Sequence, residues 1–196
     1  MMRRFSPLVI LFGLLALAPA QVSPDKSAKS NEVLAKLRQV DLLNQLLPVA
    51  LTKEQIEKIL VPLEKCRALV KKTADEEAVI LAKLDAQVTP IVKAGLEKGN
   101  VPNVEQLRSL AEVIRGMQGQ RAKVAFANTT AMTMAFTEAT NKGQQRAAAN
   151  AYSPKLVDPD LKLEELTEER RLQIWIQDVL LDPLTYDVLV AIAKRG

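Results

Sequence analysis

The sequence has no histidine, one cysteine (Cys66), one tryptophan (Trp175) and few aromatics, 4% among 196 residues. Without histidine there is no Ser-His-Asp or Cys-His nucleophile, no His general base and no His-containing zinc site. One cysteine forms neither an internal disulfide nor a thiolate cluster. Gly-rich phosphate loops and the dinucleotide fingerprint are missing, and no paired carboxylates mark a pocket. Enzyme activity, a cofactor and a bound metal are therefore not expected. Alternating strand patterns of useful length are missing too, so the fold class expected is all-α. With 48% hydrophobic residues the chain can bury a core without cross-links, as one domain or one domain plus an arm.

A strong charge of one sign is also lacking, and the formal net charge is +4. Residues 1–20 read as a secretory signal peptide. Arg3 and Arg4 precede the apolar run from Leu8 to Ala18, and Ala18-Pro19-Ala20 sets small residues where a signal peptidase reads. The run is shorter than the roughly 20 residues of a spanning helix. Cleavage near Ala20 is expected to release a mature chain, starting at Gln21, into the periplasm or the exterior. No cysteine at the cleavage site invites a lipid anchor. The mature chain carries 25 basic and 23 acidic residues, a net charge of +2, which is no nucleic-acid footprint. Residues 151–196 are acidic, with nine acids against six bases, and residues 99–150 are basic, with six bases against three acids. Weak pairing between these parts, within or between molecules, is open.

Residues 21–30 are polar and without period, which predicts a flexible leader ahead of a single all-α domain over 31–196. Val33, Leu34, Leu37, Val40, Leu43, Leu46 and Leu47 keep helical spacing, predicting a short amphipathic helix that ends near Pro48. A second helix starts at Thr52. Ile56, Ile59, Leu63, Cys66, Val70, Ile80, Leu84 and Ile91 form its heptad-like seam, interrupted by Thr73, Glu77 and Gln87. Run to Lys98 it spans about 70 Å, and Pro62 and Pro90 predict a bend or a break. Gly99-Asn100-Val101-Pro102 is a stop and a turn, after which Asn103 and Gln106 cap a third, antiparallel helix. Its expected inner face is Leu107, Leu110, Ile114, Met117, Val124 and Ala131, continuing through Ala- and Thr-rich sequence to Asn150. Residues 31–150 thus form a long helical hairpin. A proline-containing loop follows over 151–162, and shorter helices over 163–196 pack on the hairpin.

The sharpest local signal is Leu51-Thr52-Lys53-Glu54-Gln55. Thr52 can accept from the amide of Gln55 while Gln55 reaches back to Thr52, and Leu51 and Ile56 staple the turn. A capping box with a staple starts many unrelated helices. The same five residues match the LTXXQ signature, and here the chain resembles the Spy/CpxP-like family of small periplasmic helical proteins. A second copy, Leu166-Thr167-Glu168-Glu169-Arg170, has Arg170 where the family has Gln, and arginine does not accept a hydrogen bond. The resemblance implies an ATP-independent chaperone or stress-response protein, usually a dimer of curved hairpins that binds unfolded clients. Leu51, Thr52 and Gln55 would be its motif residues.

Met117, Phe126, Met132, Met134 and Phe136 lie close together on the third helix. They suit either an adaptable client-binding surface or simple core filling. Cys66 sits on the apolar stripe, as a small buried hydrophobe or as an intermolecular thiol across a symmetric dimer. The acidic run Asp158, Asp160, Glu164, Glu165, Glu168 and Glu169 lacks the glycine and spacing of a calcium loop and reads as a solvated face. Partners expected are unfolded or specific envelope proteins and a second copy of the chain, with no nucleic acid. Membrane-surface binding is not expected, because the helix faces are not markedly basic beside their apolar stripes. Two functions follow: a chaperone-like or envelope-stress protein, or a non-catalytic adaptor docking one envelope partner.

Overall fold

A computed structural model describes residues 24–151 and 165–195. The signal peptide over 1–20, most of the loop over 151–162, and Asp158, Asp160 and Glu164 lie outside them. Every regular element among the described residues is helical: α1 (Pro24–Leu46), a 3₁₀ turn (Leu47–Val49), α2 (Lys53–Lys98), α3 (Val104–Ala139), α4 (Lys142–Ala151), α5 (Glu168–Trp175), a π-helical turn (Ile176–Leu180) and α6 (Thr185–Ala193). The all-α expectation, with two long antiparallel helices and shorter ones packed on them, holds.

The chain divides into Met1–Arg38 and a compact unit over Gln39–Gly196. The first differs from the expected leader, because α1 begins at Pro24 rather than near Asn31. Proline suits a first helical position, where its missing amide loses no bond, and the Lys- and Ala-rich residues after it favour helix. Val33, Leu34 and Leu37 are exposed there. In the compact unit the first fully buried side chains are Leu42 and Leu46.

The core lies at the base of the hairpin. Leu42, Leu46, Val49, Ile56, Ile59 and Leu63 meet Met132 and Phe136 of α3, Ala148 and Ala149 of α4, and Trp175, Ile176, Val179, Leu180 and Leu189 of the C-terminal helices. Trp175 packs on Phe136 with ring centroids 5.3 Å apart, tilted 50°. Burial of each such side chain contributes roughly 1.5–3 kcal/mol, which holds the short C-terminal helices in place.

α2 runs unbroken through Pro62 and Pro90, so of the bend or break expected there, the break does not occur. Each proline still removes one hydrogen-bond donor from the ladder. Gly99 ends the helix in the left-handed conformation (φ 67°), and Asn103 and Gln106 form the expected capping box on α3. α3 stops at Ala139, short of the expected Asn150. The cause is a further capping box, in which the Asn141 amide donates to Gln144 Oε1 (3.1 Å) and the Gln144 amide donates to Asn141 Oδ1 (3.0 Å).

The seam between α2 and α3 also differs from the expected one. Val70 and Ile80 are exposed, while the supposed interruptions Thr73 and Glu77 are buried; on α3, Leu107, Ile114 and Ala131 are exposed while Val124 and Asn128 are buried. Past Lys71 the C-terminal helices no longer flank the hairpin. The buried band therefore narrows to the line where two helices face each other, and the side chains buried there are Thr73 and Glu77 of α2 and Val124, which was expected inward, of α3.

Candidate functional site

The LTXXQ residues build a junction. Thr52 accepts from the Gln55 amide (3.3 Å), and the Thr52 amide donates to Gln55 Oε1 (3.0 Å), so the box is complete. Leu51 and Ile56 both join the core cluster, as a staple requires. The Gln55 carboxamide does more than cap. Its Nε2 donates to the Ala139 carbonyl (2.8 Å) and to Gln144 Oε1 (2.9 Å), while Gln144 Nε2 donates back to Gln55 Oε1 (2.9 Å) and to the Ala50 carbonyl (3.1 Å). Two capping boxes are thus joined through a reciprocal amide pair. Asn141-Lys142-Gly143-Gln144 carries the same cap-to-third-residue spacing and was the readable signal for the stop that the sequence reading missed. At the imperfect second copy, Thr167 accepts from the Arg170 amide (3.2 Å), and Arg170 turns to Gln173 instead of back to the cap. Half the box forms. Thr52 and Gln55 of the motif thus form a structural lock between the heads of α2 and α4.

The candidate client-binding residues are not one surface. Met132 and Phe136 are both 0% exposed and belong to the core, so they are removed from the binding set. Their spacing of four places them on the α3 face turned to the C-terminal helices. Phe126 is 75% and Met134 60% exposed, on other faces, and Met117 is half-buried. Cys66 is 4% exposed, within the core cluster. Asn128 Nδ2 donates to the Cys66 carbonyl (3.2 Å), and burial pushes the thiol pKa up. This placement leaves the thiol facing α3 rather than a second chain, and the intermolecular disulfide is withdrawn.

Midway along the hairpin, Arg121 grips Glu77 with two parallel bonds, Nε to Oε1 (2.7 Å) and Nη2 to Oε2 (2.6 Å). The Glu77 side chain is nearly buried, and this hydrogen-bonded guanidinium holds its carboxyl below the ordinary value of 4.5. The pair fixes the antiparallel register of α2 and α3.

Beyond it, from residue 78 to residue 123, no side chain is fully buried. Large aliphatic groups stand open there, among them Leu81, Val92 and Leu96 on α2, Leu107 and Ile114 on α3, and Val101 and Val104 at the turn. At about 100° per residue on antiparallel helices, Leu81, Val92, Leu107 and Ile114 fall on one side of the hairpin. That is the side on which the C-terminal helices cover its base. At the edge of that cover, a cleft of about 380 Å³ lies between α2, α3 and the residues that end the π turn. Leu63, Val70, Ala125, Leu181 and Pro183 make its apolar wall, and Arg67 and Lys71 are its charged residues. Among the described residues no cluster of His, Cys, Asp or Glu could hold a metal ion, and no helix is long and apolar enough to cross a membrane. Glu168, from the acidic run, pairs with Arg146 (3.1 Å).

No family model, curated protein or solved structure matches the chain.

Proposed function

We propose that this is an exported, ATP-independent chaperone-like or envelope-stress protein that binds exposed apolar segments of unfolded proteins along the distal half of its hairpin. The observation that supports it is the bare aliphatic stripe of Leu81, Val92, Leu107 and Ile114 on the side that the C-terminal helices cover only at the base. An apolar surface of this extent on an exposed two-helix hairpin fits an interaction site better than a solvated face. It replaces the Met- and Phe-containing stretch as the surface of choice. The signal-peptide reading of residues 1–20 and the LTXXQ resemblance at Leu51–Gln55 give the reading its compartment and its class. A homodimer belongs to the same reading.

Light scattering of a heat-denatured client, with graded amounts of the chain from Gln21 and no nucleotide, tests it. Suppression should scale with dose. It should disappear in the double substitution Leu107→Lys and Ile114→Lys, which changes two exposed residues and leaves the melting temperature in place. No suppression at several-fold excess overturns the proposal and leaves the adaptor reading, to be pursued by crosslinking in the envelope. Sedimentation reports the dimer separately.

A further inference from the structure

We propose that the cleft between α2, α3 and the π turn binds a single-chain amphiphile with one carboxylate head, the chemistry of a free fatty acid. The site is distinct from the distal stripe. Its volume, about 380 Å³, lies at the lower end of the range for small-molecule cavities, roughly 300–1,000 Å³, and suits one unbranched chain. Leu63, Val70, Leu181 and Pro183 make an apolar wall, and the polar groups of Asn128 and Thr129 beside them already donate to the Cys66 and Ala125 carbonyls, so the cleft favours an apolar tail.

The charges specify the head. Both charged residues lining the cleft are cations, Arg67 and Lys71, one helical turn apart on α2. Arg67 is held in place by stacking over the Tyr186 ring, 4.4 Å from its centroid, and by Glu64 at 3.1 Å. Lys71 makes no ion pair among the described residues. Glu64 offsets one of the two positive charges, which leaves room for a monoanion and disfavours a dianionic phosphate. A cationic head would be repelled by both side chains, and a neutral head would gain no charge-assisted contact from them.

The wall is built around an irregularity. Ile176–Leu180 is a π turn, and Gln177 within it and Leu181 after it face the cleft. Such turns insert an extra residue at a cost in helix regularity, and they recur at binding sites. Here the turn carries Leu181 to the edge of the cleft while Ile176, Val179 and Leu180 stay in the core.

The test uses decanoate, decanol and decyltrimethylammonium as probes, each below its micelle concentration, with the chain from Gln21. Two readouts serve: titration calorimetry, and the rate at which Cys66, the only thiol, which also lines the cleft, reacts with a small alkylating reagent. Decanoate should bind about tenfold more tightly than decanol, the scale of one charge-assisted contact at a partly exposed site, and decyltrimethylammonium more weakly than either. Bound decanoate should slow Cys66 alkylation severalfold. Lys71→Glu should abolish the preference for decanoate over decanol, and Ala125→Phe, which fills the mouth from an exposed position, should abolish binding of both. Equal binding of all three probes, decanoate binding that survives Ala125→Phe in the folded variant, or no binding of decanoate overturns the proposal.

Discussion

At the scale of single residues, the chain places unusual backbone where a polar contact depends on it. Ala50 is left-handed (φ 51°, ψ 50°), a conformation that an L residue adopts at a cost of roughly 1–2 kcal/mol. Its amide donates to the Leu47 carbonyl (3.1 Å) and its own carbonyl accepts from Gln144, so the turn is bonded on both sides. Ala50→Gly should raise stability by about 0.5–1 kcal/mol, less than the full strain because glycine is freer when unfolded; urea denaturation reads the change. Gly99 is the converse, left-handed with open space around it, and Gly99→Ala should lower stability by about 1 kcal/mol through backbone strain alone. Gln55→Glu separates capping from the lock. The carboxylate still accepts from Thr52, but its second oxygen would face the Ala139 carbonyl and Gln144 Oε1, both acceptors. A loss of about 1–3 kcal/mol is expected by denaturation, against little change if capping were the only role.

At the scale of elements, the Glu77–Arg121 pair makes the hairpin sensitive to acid. The carboxylate's folded pKa is depressed, so its stabilising effect is complete above the ordinary value of 4.5 and is lost as pH falls through the lower folded value. Melting temperatures measured from neutral to acid pH should drop in that window for the native chain, and Glu77→Gln should flatten that part of the curve. The starts of α2 and α3 were legible in the sequence because capping is local: Thr52 with Gln55 and Asn103 with Gln106 stand where the spacing put them. The seam was less legible. Heptad periodicity assigns Val70 and Ile80 inward, but which residue faces inward depends on what surrounds it: Val70 lines the open cleft beside Leu181, and past Lys71 only α3 remains. Met132 and Phe136 illustrate the same limit at the site. Their chemistry suits a sticky surface or a core, and only the docking of the C-terminal helices against that face of α3 decides for the core. The cleft was not legible at all, since its walls come from three separated segments.

At the scale of the whole chain, cohesion is graded. The base of the compact unit holds its large fully buried side chains, whereas the hairpin beyond Glu77 is two helices with a half-buried line between them. Local opening follows buried contacts, so amides of residues 84–117 should exchange with deuterium well before those of 56–66 and 175–180, with the boundary near the Glu77–Arg121 pair. Uniform protection along α2 would refute this ordering. A face that must accommodate varied partners gains from such looseness, which ties the gradient to the proposed function.

The reciprocal amide pair has a consequence for how the chain is assembled. Gln55 and Gln144 are 89 positions apart, and everything between them is the hairpin itself. A chain synthesised from its N-terminus reaches Gln55 early, yet the head of α2 stays short of its partners until Gln144 has emerged. Closing so long a loop is costly in entropy, and it becomes favourable only after α2 and α3 have zipped together and brought the two ends near. The lock therefore marks a closed hairpin: it forms once α2 and α3 are in register, and a chain cut short within α3 would lack Gln144 and carry an open helix head.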